Sequence, residues 1–300
     1  VWEYPKSHRV MYIWTSARST TSYHLSSTLF EDMPSPKGVI FFRPIRRRYT
    51  YLCVLIMSEP ILPYGPGPED RKDQIRRMFN QIAWRYDALN EWLSLGIHRR
   101  WRRRAMLALD SLPSSACVLD LATGTADLAI ALARKLPGAR ITGIDPAGAM
   151  LAIGRKKVTR KGLSEKIRLK LGEAENLPYP DNTFDAVTVA FGVRNFQSLN
   201  GGLLEIHRVL KPSGQLIILE FSMPGMWGFR HLYRWYFRHL VPRIGRWLSN
   251  DPLAYRYLVE SVQAFPQGKA FEALLKITGF KNTRCTPLTF GVCSLYTAYK

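Results

Sequence analysis

The residues in this chain that could do chemistry fall at strand ends. Asp120 closes the apolar run Val118-Leu119-Asp120-Leu121, and a turn through Thr123, Gly124 and Thr125 follows. Gly124 lets the backbone turn sharply and approach a ligand closely. The helix after it offers free N–H groups that could hold a carboxylate. Asp145 stands 25 residues further on, at the tip of a second strand, where one carboxylate can accept both hydroxyls of a ribose. The plain alternative is that Asp145 caps the helix opening at Pro146. Glu173 and Ala174 end a third strand, where a side chain and a backbone amide can read a purine edge. A dinucleotide turn would read G-x-G-x-x-G. Only Gly124 is present, which argues against a pyrophosphate. Arg194 and Asn195 follow a fourth strand and face the same crevice.

The elements that must position these groups alternate. Strands are expected over 117–122, 140–145, 167–172, 184–191 and 215–221, with helices over 125–136, 147–161 and 198–210. Alternation of this kind predicts an α/β fold, a mostly parallel sheet with helices on both faces. Pro137-Gly138 and Pro212-Ser213-Gly214 punctuate helix-to-strand turns. A helix over 268–277 and strands over 280–286 and 291–299 close the chain, the last two as an antiparallel pair at the sheet edge. Before the first strand, Ile75, Met78, Phe79, Ile82 and Tyr86 recur at helical spacing. A second helix over 97–110 carries Arg99-Arg100-Trp101-Arg102-Arg103-Arg104. This helical part, 69–111, would fold over the site as a lid. An insertion rich in aromatics and arginines occupies 223–265.

The 300 residues are 46% hydrophobic and 22% charged, ordinary for a chain with a sizeable core. No apolar run reaches the roughly 18–20 residues of a membrane-spanning helix. Lys and Arg total 43 against 23 acids, a net of +20, which favours anionic partners, nucleic acid or an acidic membrane surface. Cys53, Cys117, Cys285 and Cys293 show no C-x-x-C spacing, so a reducing compartment is expected and no metal site. Residues 1–56 show no sustained amphipathic period. They read as a translated upstream region with Met57 the true start, as a disordered extension, or as an Arg-rich transit peptide. Residues 57–68 are broken by Pro and Gly and read as a flexible arm. Residues 69–300 form the functional domain.

With these residues in place, a resemblance emerges. LDLATGTADL at 119–128 looks like the first motif of class I S-adenosylmethionine-dependent methyltransferases. GEAENLPYPDNTFDAVTVAFGVRN at 172–195 is more specific, and resembles the ubiquinone/menaquinone biosynthesis C-methyltransferase family. YDALN (86–90), LGIHRRW (95–101), RVLKPSG (208–214), LEFS (219–222), VPRIG (241–245) and NDPLAYRYLVES (250–261) match too. The resemblance covers about 70–300. It implies a Rossmann-like, mostly parallel seven-stranded sheet, S-adenosylmethionine as cofactor, and cofactor contacts at Thr125, Asp145, Glu173 and Ala174. Together with the turn, the expected cofactor set is Asp120, Gly124, Thr125, Asp145, Glu173 and Ala174. Three departures stand out. Ala126 replaces a common glycine, Glu173 a shorter Asp or Asn, and Ala190 a serine.

The implied reaction is methylation of a quinol ring carbon, activated when the neighbouring hydroxyl loses its proton. Such a site needs a base or a cation that stabilises the phenolate. The expected catalytic residues are Arg194, Asn195 and Tyr86. Arg194 is too basic to take a proton, but suits an oxyanion or a water that carries the proton away. Asn195 would hydrogen-bond a ring oxygen, and Tyr86 would contact the ring or carry a proton. His98 could titrate near neutral pH, although a His beside arginines reads first as a surface residue. Asp87 lies with Tyr86 and His98 in the lid, and Asp251, Tyr255 and Tyr257 are weaker candidates, matched by the family motif only. Arg230, Arg234 and Arg238 recur every four residues among aromatics, suiting a membrane interface. The expected partner is a polyprenyl quinol drawn from the membrane, with the enzyme cytoplasmic and peripheral on its inner face. A homo-oligomer is left open. Demethylmenaquinol is favoured over a methoxy-polyprenyl-benzoquinol. A small soluble or sterol acceptor, and a nucleic-acid-binding module whose binding would collapse with salt, are the competing readings.

Overall fold

The computed structural model describes residues 9–16, 41–44, 50–57, 61–109, 112–225, 228, 231, 233, 235, 236 and 251–300. Two units divide the chain between Pro60 and Ile61. In the first, β1 (Arg9–Ser16), β2 (Phe41–Pro44) and β3 (Thr50–Met57) pair antiparallel in the order β1-β3-β2. The sequence reading placed no element here. The apolar run Thr50–Met57 has strand length and was the available signal.

The second unit opens with 61–68, which forms neither helix nor strand. This arm is tied down. The Tyr64 hydroxyl donates to Asp251 (2.5 Å) and lies 2.9 Å from the Gln81 side-chain amide, and the Tyr64 N–H donates to Gln74 (2.9 Å). Helix α1 (Arg71–Ser94) begins at Asp70, whose carboxylate caps the Asp73 N–H, and ends in a left-handed Leu95 and Gly96. Helix α2 (Ile97–Leu107) follows at once.

Strand and helix then alternate: β4 (Cys117–Leu121), α3 (Asp127–Lys135), β5 (Arg140–Asp145), α4 (Gly148–Arg160), β6 (Ile167–Leu171), β7 (Phe184–Ala190), α5 (Leu199–Val209), β8 (Leu210–Phe221), α6 (Pro252–Ala264), α7 (Lys269–Ile277), β9 (Lys281–Leu288) and β10 (Cys293–Tyr299). The sheet has seven strands in the order β6-β5-β4-β7-β8-β10-β9. The first five are parallel, and β10 lies antiparallel to both β8 and β9. Leu119, Leu121, Val187 and Val189 bury one face of the centre and Val118, Ala186, Ile217 and Leu219 the other, as a sheet covered by helices on each side requires.

One boundary differs. β8 absorbs the Pro212-Ser213-Gly214 stretch expected as a turn. Phe184 pairs with Leu210, the register then shifts, and Ser213 bulges at φ 63°. The strand order reverses between β4 and β7, so a crevice opens at their carboxyl ends. Among the described residues no helix is long and apolar enough to cross a membrane. The expected basic stripe, Arg230, Arg234 and Arg238, lies outside the described residues.

Candidate active site

The crevice at the switch point holds a pocket open to solvent, with about 780 Å³ of space between its walls. Gly124, Asp145, Glu173 and Ala174 line it together, with Ile75, Phe79 and Met150 forming an apolar wall. The turn after β4 folds as its composition demands. Gly124 adopts φ 56°, with only the Tyr86 ring 4.0 Å from where a side chain would begin. Ala126 is also left-handed at φ 63°, a conformation that costs a residue with a Cβ roughly 1–2 kcal/mol. That is the physical reason a glycine suits this position.

Asp145 caps the start of α4 and also borders the cavity. One carboxylate oxygen accepts the Gly124 N–H (2.8 Å), the other the Ala147 N–H (2.8 Å) at the start of α4. Burial raises its pKa to about 6, against the pull of those two bonds. Each oxygen keeps a second lone pair for a hydroxyl. Glu173 sits at the lip, paired with Lys72 from α1 at 2.7 Å. Ala190 lines the wall, so the missing serine hydroxyl would have faced the ligand.

Two expected cofactor residues are not among the lining. Asp120 is 1% exposed, and its carboxylate accepts hydrogen bonds from Thr123 (2.6 Å) and Thr188 (2.7 Å). It braces the turn from beneath, and burial raises its pKa to about 6. The Thr125 hydroxyl donates to Asp87 (2.6 Å) and lies 3.0 Å from the Lys157 amine. Lys157 also binds Asp87 (2.8 Å) and Asp127, and Arg102 reaches Asp127 at 3.2 Å. Thr125 and Asp87 therefore belong to a polar latch joining α1, α2, α3 and α4. Their composition suggested contact with a ligand because tertiary partners cannot be read from spacing.

A second cavity of about 1030 Å³ adjoins the first, sharing Phe79, Tyr86 and Phe191 as common walls. Arg194, His98 and Arg102 supply its charge or titratable nitrogen. Trp101, Phe221, Tyr233, Tyr236, Tyr255 and Tyr257 make most of the remainder aromatic. Asn195 lines the first cavity, not this one; its carbonyl accepts the Tyr257 hydroxyl at 3.0 Å. The expectation that Asn195 binds an acceptor oxygen is thus displaced by one turn of chain. Asp251 caps α6, accepting from Leu253 and Ala254 N–H groups.

Arg194 is not a bare cation. Its Nη1 meets Glu220 at 2.6 Å and donates to the Phe191 carbonyl at 2.6 Å. Both members of this pair are buried, at 6% and 1% side-chain exposure. Its Nε has no hydrogen-bond partner. Glu220 went unassigned by the sequence reading, although it lies in the LEFS motif. Arg71 was missed with no signal. Its guanidinium reaches the carbonyls of Phe196 (2.6 Å), Arg194 (3.0 Å) and Ile61 (3.2 Å), stapling the turn that carries Arg194 and Asn195.

His98 is buried rather than on the surface, because α2 turns it toward the second cavity. Ser94 Oγ donates to the Asn90 carbonyl (2.6 Å) and lies 2.5 Å from His98 Nδ1. With its own hydrogen committed, Ser94 accepts at this contact, which a hydrogen on Nδ1 would supply, and Nε2 lies 3.7 Å from the Glu91 carboxylate. Burial and the nearby Arg102 lower the His98 pKa. Burial raises that of Tyr86, whose hydroxyl is bonded to Asn90, so this phenol stays protonated.

The chain matches the model of the ubiE/COQ5 methyltransferase family over residues 68–300. A demethylmenaquinone methyltransferase from Thermus thermophilus is 48% identical over 220 residues, 73% of this chain and 98% of that protein. One from Bacteroides fragilis is 42% identical over 243 residues, 81% of this chain and 98% of that protein. A ubiquinone/menaquinone biosynthesis C-methyltransferase from Geotalea daltonii is 42% identical over 232 residues, covering 77% and 98%. Among solved structures, an S-adenosylmethionine-dependent methyltransferase from Methanococcus maripaludis, described as putative, superposes with TM-score 0.53 at 18% identity. It covers 79% of this chain and 97% of its own. The [4+2]-cyclase SpnF superposes with TM-score 0.52 at 19% identity, covering 79% and 99%. A carboxylate at the second strand tip, a single-glycine turn and an apolar wall beside them fit that cofactor. The chain belongs to the ubiE/COQ5 methyltransferase family and is an S-adenosylmethionine-dependent methyltransferase.

Proposed function

We propose that the protein methylates a ring carbon of a polyprenyl quinol, with demethylmenaquinol as the acceptor. The observation that carries this reading is the second, aromatic cavity walled off from the cofactor cavity only by Phe79, Tyr86 and Phe191. An aromatic ring placed there lies beside the cofactor and away from bulk water. Bound S-adenosylmethionine supplies an electrophilic methyl; the residues align the acceptor and manage its proton. Asp145, Gly124, Glu173 and Ala174 hold the adenosine side. Asn195, bonded to Tyr257, stiffens the wall between the two ligands. Arg194 holds the quinol oxygen through the part of its guanidinium that Glu220 leaves unused, and Tyr86 donates a hydrogen bond to the ring substituents.

The proton of the acceptor hydroxyl needs a base. Burial raises the pKa of Tyr86, Tyr233, Tyr236 and Tyr257 and the arginines do not deprotonate, which points to His98, whose Nε2 lies 3.7 Å from Glu91. The ring carbon would take the methyl from bound S-adenosylmethionine; the ring proton at that carbon would pass to water, and the ring oxygen would regain its proton from His98. The quinol is drawn from a membrane, which places the enzyme peripherally on its cytoplasmic face. Residues 1–56 take no part. The benzoquinol of ubiquinone biosynthesis is the second reading, favoured by the naming of the Geotalea relative.

The test is transfer of labelled methyl to short-chain forms of both quinols. Turnover on the naphthoquinol that falls at least about 100-fold in His98→Gln, with cofactor binding unchanged by calorimetry, supports the reading. In the parent protein kcat/KM should fall as pH drops through a value below 6.5, where His98 becomes charged. Turnover on the benzoquinol alone replaces the acceptor, and a pH profile unchanged in His98→Gln removes His98 from the mechanism.

A further inference from the structure

Helix α1 presents an unusual outer face. Its exposed positions run Gln81, Trp84, Ala88 and Trp92, continuing to Leu95 at the cap, at spacings of three and four that keep them on one side. The outer face of a surface helix is normally polar. Here Trp84 is 66% exposed, Trp92 59% and Leu95 79%. The inner face of the same helix is already used, since Met78, Ile82, Tyr86 and Leu89 line the acceptor cavity.

The left-handed turn at Leu95 and Gly96 brings α2 alongside, and its outer face is basic. Arg99, Arg100, Arg103 and Arg104 are exposed, with Leu107 beyond them at 59%. Arg99 pairs with Glu91 at 3.1 Å across the corner. Among the described residues Arg100, Arg103 and Arg104 enter no ion pair. The Arg85 guanidinium lies 3.9 Å over the Trp84 ring, so even the aromatic stripe carries a cation.

We infer that this α1–α2 corner is the surface by which the enzyme docks on a bilayer containing anionic lipid. Tryptophan and leucine flanked by arginines is the composition that settles at the headgroup boundary. Unpaired arginines each contribute attraction to an acidic surface. The corner also lies directly outside the acceptor cavity. Asn90, Ser94, His98 and Trp101 face that cavity from the segments whose opposite sides carry Trp92, Leu95 and Arg100. A lipophilic acceptor could thus leave the bilayer beside the cavity that receives it. The docking surface gives a purpose to the proposed quinol substrate but is tested apart from it.

The experiment is co-sedimentation of the full chain with vesicles of phosphatidylcholine alone and of phosphatidylcholine mixed equally with phosphatidylglycerol. The parent protein should prefer the anionic vesicles and lose that preference in high salt. Trp92→Ser/Leu95→Ser should lower partitioning at least about tenfold. Arg100→Glu/Arg103→Glu should abolish the preference for anionic lipid, about fivefold for each charge. Methyl transfer to a water-soluble, short-chain quinol should be unchanged in both variants, which shows that they fold and separates docking from chemistry. Loss of that transfer in the parent protein would sink the substrate reading and leave the vesicle result standing. Partitioning unchanged in both variants overturns the inference. So does a parent protein indifferent to lipid charge, or a dimer that the Trp92 and Leu95 changes dissociate while vesicle binding persists, since the face would then join two copies of the chain.

Discussion

At the scale of single residues, two carboxylates of equal acidity do different work. Asp120 and Asp145 both titrate at about 6 because both are buried, yet only Asp145 borders the cavity. A protonated Asp145 loses an acceptor that a ribose hydroxyl needs. The affinity for S-adenosylmethionine should therefore weaken as pH falls through about 6, by up to ~tenfold per unit below it. Calorimetry from pH 5 to 8, a range of about three units around that value, checks this. Asp120→Asn should keep the dependence and Asp145→Asn should abolish it along with most of the binding. Arg194 raises a different issue. Removing it strands the Glu220 carboxylate in the core, where an unpaired charge costs about 3–5 kcal/mol. Arg194→Ala should accordingly lower the urea midpoint sharply as well as the rate. Glu220→Gln leaves a neutral partner and should cost less stability, so comparing the two variants separates the structural role from the chemical one.

At the scale of elements, the site depends on how α1 is fastened. Asn80 accepts the Ala149 N–H at 2.9 Å at the start of α4, and the Asp87–Thr125–Lys157 latch holds the middle of the helix. Arg71 holds the 193–196 turn from the helix's first residue. Its planar fork meets carbonyls that no lysine could reach together. Arg71→Ala and Arg71→Lys should both cost about 1–3 kcal/mol. Both should lower the single-turnover rate and weaken cofactor binding together, because the turn they loosen carries Arg194 into the second cavity and Asn195 and Phe196 into the first. A cofactor Kd unchanged in calorimetry would show that the turn serves the second cavity alone.

At the scale of the whole molecule, the family match begins at residue 68 and the second unit at Ile61. The core, the tied arm 61–68 and both cavities lie within that unit. A protein comprising 61–300 should melt cooperatively and keep turnover within about twofold of the full chain, since no residue assigned to the site precedes it. A fragment that fails to fold would make the β1-β3-β2 sheet part of the working enzyme. The α/β alternation, the strand tips and the closing antiparallel pair were legible because hydrophobic periodicity and turn residues are local signals. Helices α4, α5 and α7 fall within a residue or two of their expected bounds. The lead into β8 was not legible, since a bulge at Ser213 depends on pairing with Phe184 far back in the chain.

The sequence by itself determined the class of fold and the placement of Asp145, Gly124, Glu173 and Ala174 at strand ends, because a strand tip is a local property of the chain. It could not determine what each polar side chain would meet across the fold. Tertiary structure decided that Asp120 and Thr125 would brace and latch. It turned His98 inward, with Nε2 near Glu91, and paired Arg194 with a glutamate 26 residues away. The reason is physical: the partner that satisfies a buried charge or hydroxyl lies wherever packing brings it, and burial makes that partner obligatory.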